Sequence, residues 1–257
     1  MPSRLTATVI AVLLAIGSQH ANADFRADYR GDGGLQSIEV GHGKVRFATA
    51  HGHGVIFDAA QKALILLDSD KHEFTRMDEA TVDALGETVS GAMAQMDAAL
   101  AKLPPEQRAL VMARMPKQAQ AVAGPKPLVS IKATGASDSV AGFRCEIFRI
   151  DIDGDNGGEN CLANAADLGL GADDIAAFRQ SADFARHVGE KIAGGRFNTG
   201  LDYNMFNGEK LPVRIKSKNG SSALTAVSKA AIAQSEFDIP SDYHERKIEV
   251  PKLPARH

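Results

Sequence analysis

From Phe25 to Arg76, apolar residues come in short runs separated by turn residues. The turns are Gly31-Asp32-Gly33-Gly34, Gly41-His42-Gly43, His51-Gly52-His53-Gly54 and Asp68-Ser69-Asp70. Between them lie Leu35–Val40, Lys44–Ala48, Val55–Asp58 and Leu64–Leu67, a spacing that predicts an antiparallel meander. Val45 and Phe47 alternate with Lys44 and Arg46, as on a half-buried strand.

The period then changes. Asp78 is a candidate N-cap, followed by Val82, Leu85, Val89, Met93, Met96, Leu100 and Leu103 at steps of three and four. That spacing puts them on one apolar helix face. Pro104-Pro105 ends this helix and opens a second, which carries Leu110, Val111, Met112 and Met115. Residues 117–127 are a linker. Leu128–Thr134 and Ala141–Ile152 are the next expected strands. A third helix follows Gly171 and stops at Gly194-Gly195. Asn207-Gly208 and Asn219-Gly220 flank the alternating run KLPVRIKSK and signal hairpins. The expected fold is α+β and mainly antiparallel β. A helical insert falls at about 78–118 and a further helix at about 172–193.

Composition narrows this further. The chain has 257 residues, 44% hydrophobic and 24% charged, with a formal net charge of −3. Wholesale disorder and a multi-pass membrane protein do not fit these values. A nucleic-acid partner does not fit the charge. Residues 1–23, MPSRLTATVIAVLLAIGSQHANA, carry one charge (Arg4), a short apolar run and small residues at Ala21 and Ala23. This predicts a signal peptide cleaved after Ala23 and a soluble periplasmic domain over 24–257, with no membrane span after cleavage.

Two cysteines remain to be placed. Cys145 and Cys161 bracket EIFRIDIDGDNGGEN. A hairpin centred near Asp153 sets them opposite each other, and in an oxidising compartment this predicts a disulfide.

Three groups are candidates for chemistry. Asp151, Asp153 and Asp155 occupy positions 1, 3 and 5 of a calcium-loop pattern. Asn156 and Leu162 stand where that loop needs Gly and Glu, and Glu159 is a further oxygen donor. His51 and His53, with His42 nearby, have a spacing that imidazole–metal sites use. Both groups also read as solvated turns. Met93, Met96, Met112 and Met115 form a flexible, polarisable surface suited to an apolar ligand, or a packed core face. No nucleophile elbow, phosphate loop or dinucleotide fingerprint is present, so neither catalysis nor a cofactor is predicted.

Several segments together resemble a known family. They are VIFDAAQKALILLDSDKHEFTRMDEA, LAKLPPEQRALVMARMP, GFRCEIF, ENCLANAADLGL and FDIPSDYHERKI, in that order. The order is similar to a family of exported bacterial proteins of unknown function, related by fold to the outer-membrane lipoprotein carriers. The resemblance implies a curved, unclosed β half-barrel packed on helices, with an apolar concavity. It transfers no catalytic residue. The expected function is a non-catalytic carrier for an apolar small molecule such as a lipid or acyl chain. A metal-binding envelope protein, and one that binds another protein or is structural, are the alternatives.

Overall fold

The computed structural model describes residues 24–32, 34–49, 52–114, 128–193, 209–218 and 220–248. The signal segment 1–23, His51, Met115, the linker 117–127, Gly194-Gly195, Asn207-Gly208 and Asn219 lie outside them.

One sheet of twelve strands organises the described residues. The first six are β1 (Phe25–Gly31), β2 (Leu35–Gly41), β3 (Lys44–Thr49), β4 (Gly54–Asp58), β5 (Ala63–Asp68) and β6 (Glu73–Asp78). They pair in sequence as an antiparallel meander. Helices α1 (Glu79–Ala101) and α2 (Pro105–Arg114) follow. Strands β7 (Val129–Val140), β8 (Phe143–Ile152) and β9 (Asp155–Asn164) form a second meander. Short helix α3 (Ala165–Leu168) and long helix α4 (Ala172–Ala193) precede β10 (Lys210–Ser217) and β11 (Gly220–Lys229). Because β11 pairs with β1, the two meanders join into one curved sheet. The two-residue β12 (His244–Glu245) adds the one parallel pairing among the described residues, beside β6. The order runs from β12 at one edge to β7 at the other, and the sheet stays open.

Alternation decides which residues face inward. Phe25, Ala27 and Tyr29 of β1, Ile38 and Val40 of β2, and Val45 and Phe47 of β3 enter one core. Helix α4 lies on this face. It sets Phe178 against Phe47 at 5.9 Å and Phe184 against Phe57 at 5.8 Å between ring centroids. Each such aromatic contributes roughly 1.5–3 kcal/mol by burial. The apolar concavity that the resemblance implies is thus occupied, where the described residues cover it, by the side chains of α4.

The outer face is covered too. Ile56, Ile65 and Leu67 form a separate cluster with Phe74, Ile239 and Tyr243. The cover is the segment from Ala230 to Tyr243, which crosses the outer face of the first meander as a strap, while Ile248 beyond it packs on the first core. His42 Nε2 meets the Ile232 carbonyl at 3.0 Å, and the Ile232 N–H donates to Asp24 at 2.7 Å. Phe237 of this strap is itself fully buried, against the His42 ring.

The expected strands shift at their ends. Ala141 and Gly142 (φ 51° and 85°) form a two-residue turn, so β8 begins at Phe143 and not at Ala141. The strand expected to stop at Thr134 continues to Val140 through an irregularity between Ala133 and Ser137. The acidic run after Ile152 is also not one long turn. Asp153 and Gly154 (φ 54° and 87°) turn the chain alone, and Asp155 already starts β9.

Candidate functional site

The cysteines pair. Cys145 and Cys161 form a disulfide with a Cα–Cα distance of 5.3 Å, and both are buried. Ile147, not Cys145, stands opposite Cys161: the turn is centred between Asp153 and Gly154, which moves the pairing by one residue, and the register shift between Ile150 and Asp151 moves it by one more. The bridge therefore runs diagonally across the β8–β9 hairpin.

Helix α1 starts as its sequence dictates. Asp78 accepts the Thr81 N–H at 2.8 Å, and hydrogen bonding from the Thr81 side chain and then from this N–H holds its carboxyl below the usual range. The helix then crosses α4 where Gly86 meets Lys191. Of the stripe read from the sequence, only Val82 is buried. Leu85, Val89, Met93, Met96, Leu100 and Leu103 are all intermediate. Arg108 of α2 turns back and donates to the Leu100 carbonyl at 3.0 Å, alongside the Leu103 N–H that the same carbonyl accepts. This bond ties the first turn of α2 to the last turn of α1. Along α2, Leu110 is 59% and Val111 39% exposed. The result is a helical arm with an apolar face that the sheet does not cover. Met93 and Met96 lie on this face. Met112 belongs to α2.

The acidic turn does not assemble a cage. Asp151 pairs with Arg149 at 3.0 Å, and Asp153 accepts the Leu128 N–H at 2.8 Å. Asp155 is exposed at the start of β9 and Glu159 is paired with Arg214 at 3.6 Å. A groove of about 290 Å³ lies at the other end of the β8–β9 hairpin, bounded by Gly135, Arg144, Glu146, Leu162 and Lys210. It is crossed by the Lys210–Glu146 ion pair, with Lys210 also over the Phe148 ring at 5.4 Å.

His53 has company that sequence reasoning missed. Its Nε2 lies 3.3 Å from Asp70, and its Nδ1 lies 3.8 Å from Asp68. These three residues are the one group among the described residues with the donor geometry of a metal site. His42 sits elsewhere, against Asp24 at 3.5 Å and the Phe237 ring. The signal was available in the meander. In an up-and-down order, the β3–β4 and β5–β6 turns fall at the same end of the sheet, which brings the His turn beside Asp68-Ser69-Asp70.

These features can be set against known proteins. Residues 61–243 match the model of a family described as Domain of unknown function (DUF4412). The chain belongs to this family. The span matched by DUF4412 begins in the β4–β5 turn. It takes in the helical arm, the disulfide hairpin, α4 and the strap as far as Tyr243. Asp68 and Asp70 fall inside it and His53 outside. Among solved structures, the chain is similar to an uncharacterized conserved protein from Thermus thermophilus. Identity there is 6%, coverage is 88% of this chain and 91% of that chain, and the TM-score is 0.40. It is also similar to PNGF-II at 8% identity and TM-score 0.41, covering 88% of this chain and 31% of that one. A search of curated proteins returned no significant match. No helix among the described residues is long and apolar enough to cross a membrane.

Proposed function

We propose that this chain is an exported, non-catalytic binding protein that holds an apolar ligand, such as a lipid or acyl chain, against its helical arm. One observation carries the reading. The apolar stripe from Leu85 to Leu103 remains only half buried, and α2 adds the exposed Leu110 and Val111. A helix whose apolar face is not covered by its own core marks a surface that meets something else. The methionines on the stripe are adaptable, which suits ligands of variable shape. The signal segment and the buried disulfide support export to an oxidising compartment. The kinship to lipoprotein carriers belongs to the same proposal, as does residence in the periplasm.

The test is native mass spectrometry of the protein purified from a bacterial periplasm, with uptake of an environment-sensitive apolar dye. The expected result is an adduct of lipid mass, displaced by the dye. Changing Met93 and Met96 to Gln is expected to weaken dye uptake while leaving the far-ultraviolet circular dichroism unchanged. A bare mass together with no dye uptake overturns the reading.

A further inference from the structure

We infer that His53, Asp68 and Asp70 form a binding site for one divalent first-row transition-metal ion, of which zinc is the representative. This site is independent of the helical arm. One imidazole and two carboxylates are a donor set that zinc and its neighbours accept. One ligand atom from each residue lies within 4.8 Å of the others. Ligands about 2.0–2.2 Å from a tetrahedral zinc stand roughly 3.3–3.6 Å apart. Asp68 faces Nδ1 and Asp70 faces Nε2 of the same imidazole, so the cluster closes on one ion when one carboxylate swings toward the other's ring nitrogen. Asp70 is free to make this swing, since its side chain is 73% exposed.

The surroundings hold the other parts in place. Gly52 (φ +75°) stacks the His turn on the acidic turn, where a Cβ would meet Ser69 Oγ at 3.0 Å. The two turns are thus held together by their own packing. Lys71 grips Asp68, with its Nζ on Oδ2 at 2.6 Å and its backbone N–H on Oδ1 at 3.3 Å. This fixes the carboxylate plane and leaves Oδ1 directed toward His53, as outer-shell partners of metal ligands do. A groove of about 240 Å³ opens beside the cluster, bounded by His53, Leu67, Asp68 and Arg246. Three protein ligands leave a coordination position for water or an outside donor, and the groove gives it access. A bound ion ties the β3–β4 turn to the β5–β6 turn.

Isothermal titration of the full mature chain, free of any affinity tag, with zinc chloride alone tests this. The expected result is one saturable equivalent. His53→Gln and Asp70→Asn are each expected to lower the affinity by more than the roughly 10–100-fold that loss of an outer-shell partner costs. Both positions are partly or fully exposed, so thermal unfolding without metal is expected to match the parent. His72→Gln serves as the control, because His72 is a comparable histidine paired to Asp242 at 2.7 Å. It is expected to bind zinc as the parent does. Absence of saturable binding overturns the inference. So does binding that survives His53→Gln, or binding that His72→Gln abolishes equally.

Discussion

Gly86 of α1 lies against the main chain of Lys191 on α4, and a Cβ built on it would stand 3.0 Å from the Lys191 carbonyl oxygen. The Lys191 ammonium also reaches Asp83 at 2.9 Å, but that pair is exposed and contributes little. The contact that sets the crossing is therefore steric. Gly86→Val adds helix propensity of a few tenths of a kcal/mol, but it drives a branched side chain into main-chain atoms. Such overpacking costs about 1–3 kcal/mol. The expected outcome is a lower urea midpoint for Gly86→Val. A midpoint equal to or above that of the parent would show that the helices separate without cost.

Glu39 is the second test. It is fully buried on the outer face, between Arg26 at 3.1 Å and Arg46 at 2.9 Å, and it also accepts the Ser37 hydroxyl at 3.1 Å. These partners are dictated by register, since Glu39 pairs with Arg26 on β1 and with Arg46 on β3. Removing the carboxylate leaves two guanidinium groups facing each other under the strap. Breaking a buried ion pair costs about 3–5 kcal/mol. Arg26 keeps some solvent, so Glu39→Ala is expected at the lower end, near 3 kcal/mol, in urea unfolding. A loss below about 1 kcal/mol would show that the arginines rehydrate freely.

What was legible in the sequence follows from how local each signal is. Helix α4 was readable because its apolar spacing and its glycine boundaries lie within one segment. The disulfide was readable because both cysteines belong to one hairpin. Its diagonal path was not, since that depends on a turn centred between Asp153 and Gly154 and on the register shift between Ile150 and Asp151. The stripe on α1 was visible as a pattern. Its half-burial was not, because cover depends on where α4 crosses at Gly86. The strap was hidden for a related reason. Phe237, Ile239 and Tyr243 have no periodicity of their own and gain meaning only against Ile56 and Ile65 across the sheet. The His53 group needed topology as well as spacing, since its carboxylates come from the next turn but one.

The disulfide gives a third prediction. Cys145 and Cys161 are 16 residues apart, and closing a loop of this size stabilises by about 3 kcal/mol on the chain-entropy model. Alanine at both positions removes the constraint while leaving small apolar groups in a buried place. The double variant Cys145→Ala, Cys161→Ala is expected to unfold at a lower temperature than the oxidised parent. Dithiothreitol is expected to lower the parent toward the variant and to leave the variant unchanged. A parent insensitive to full reduction would place the stabilisation in packing alone.

Asp174 gives the fourth, and its sign has to be worked out. It stands in the first turn of α4 and accepts the Gly171 N–H at 3.1 Å, the backward bond of a capping box. Burial raises its carboxyl above the ordinary value of 3.8, with Asp24 and Asp173 adding in the same direction. The Gly171 bond and Lys229 oppose the shift without cancelling it. A raised carboxyl binds its proton more tightly in the folded chain than in the unfolded one. The stability tied to that proton is present below the ordinary value and is lost as pH rises through the raised one. Asp174→Asn keeps an acceptor for Gly171 and cannot ionise. Its melting temperature relative to the parent is therefore expected to climb as pH is raised from about 3.5 toward 7 across that window. A relative fall over the same range would mean that the ionised carboxylate gains more from the helix N-terminus than burial and its acidic neighbours take away.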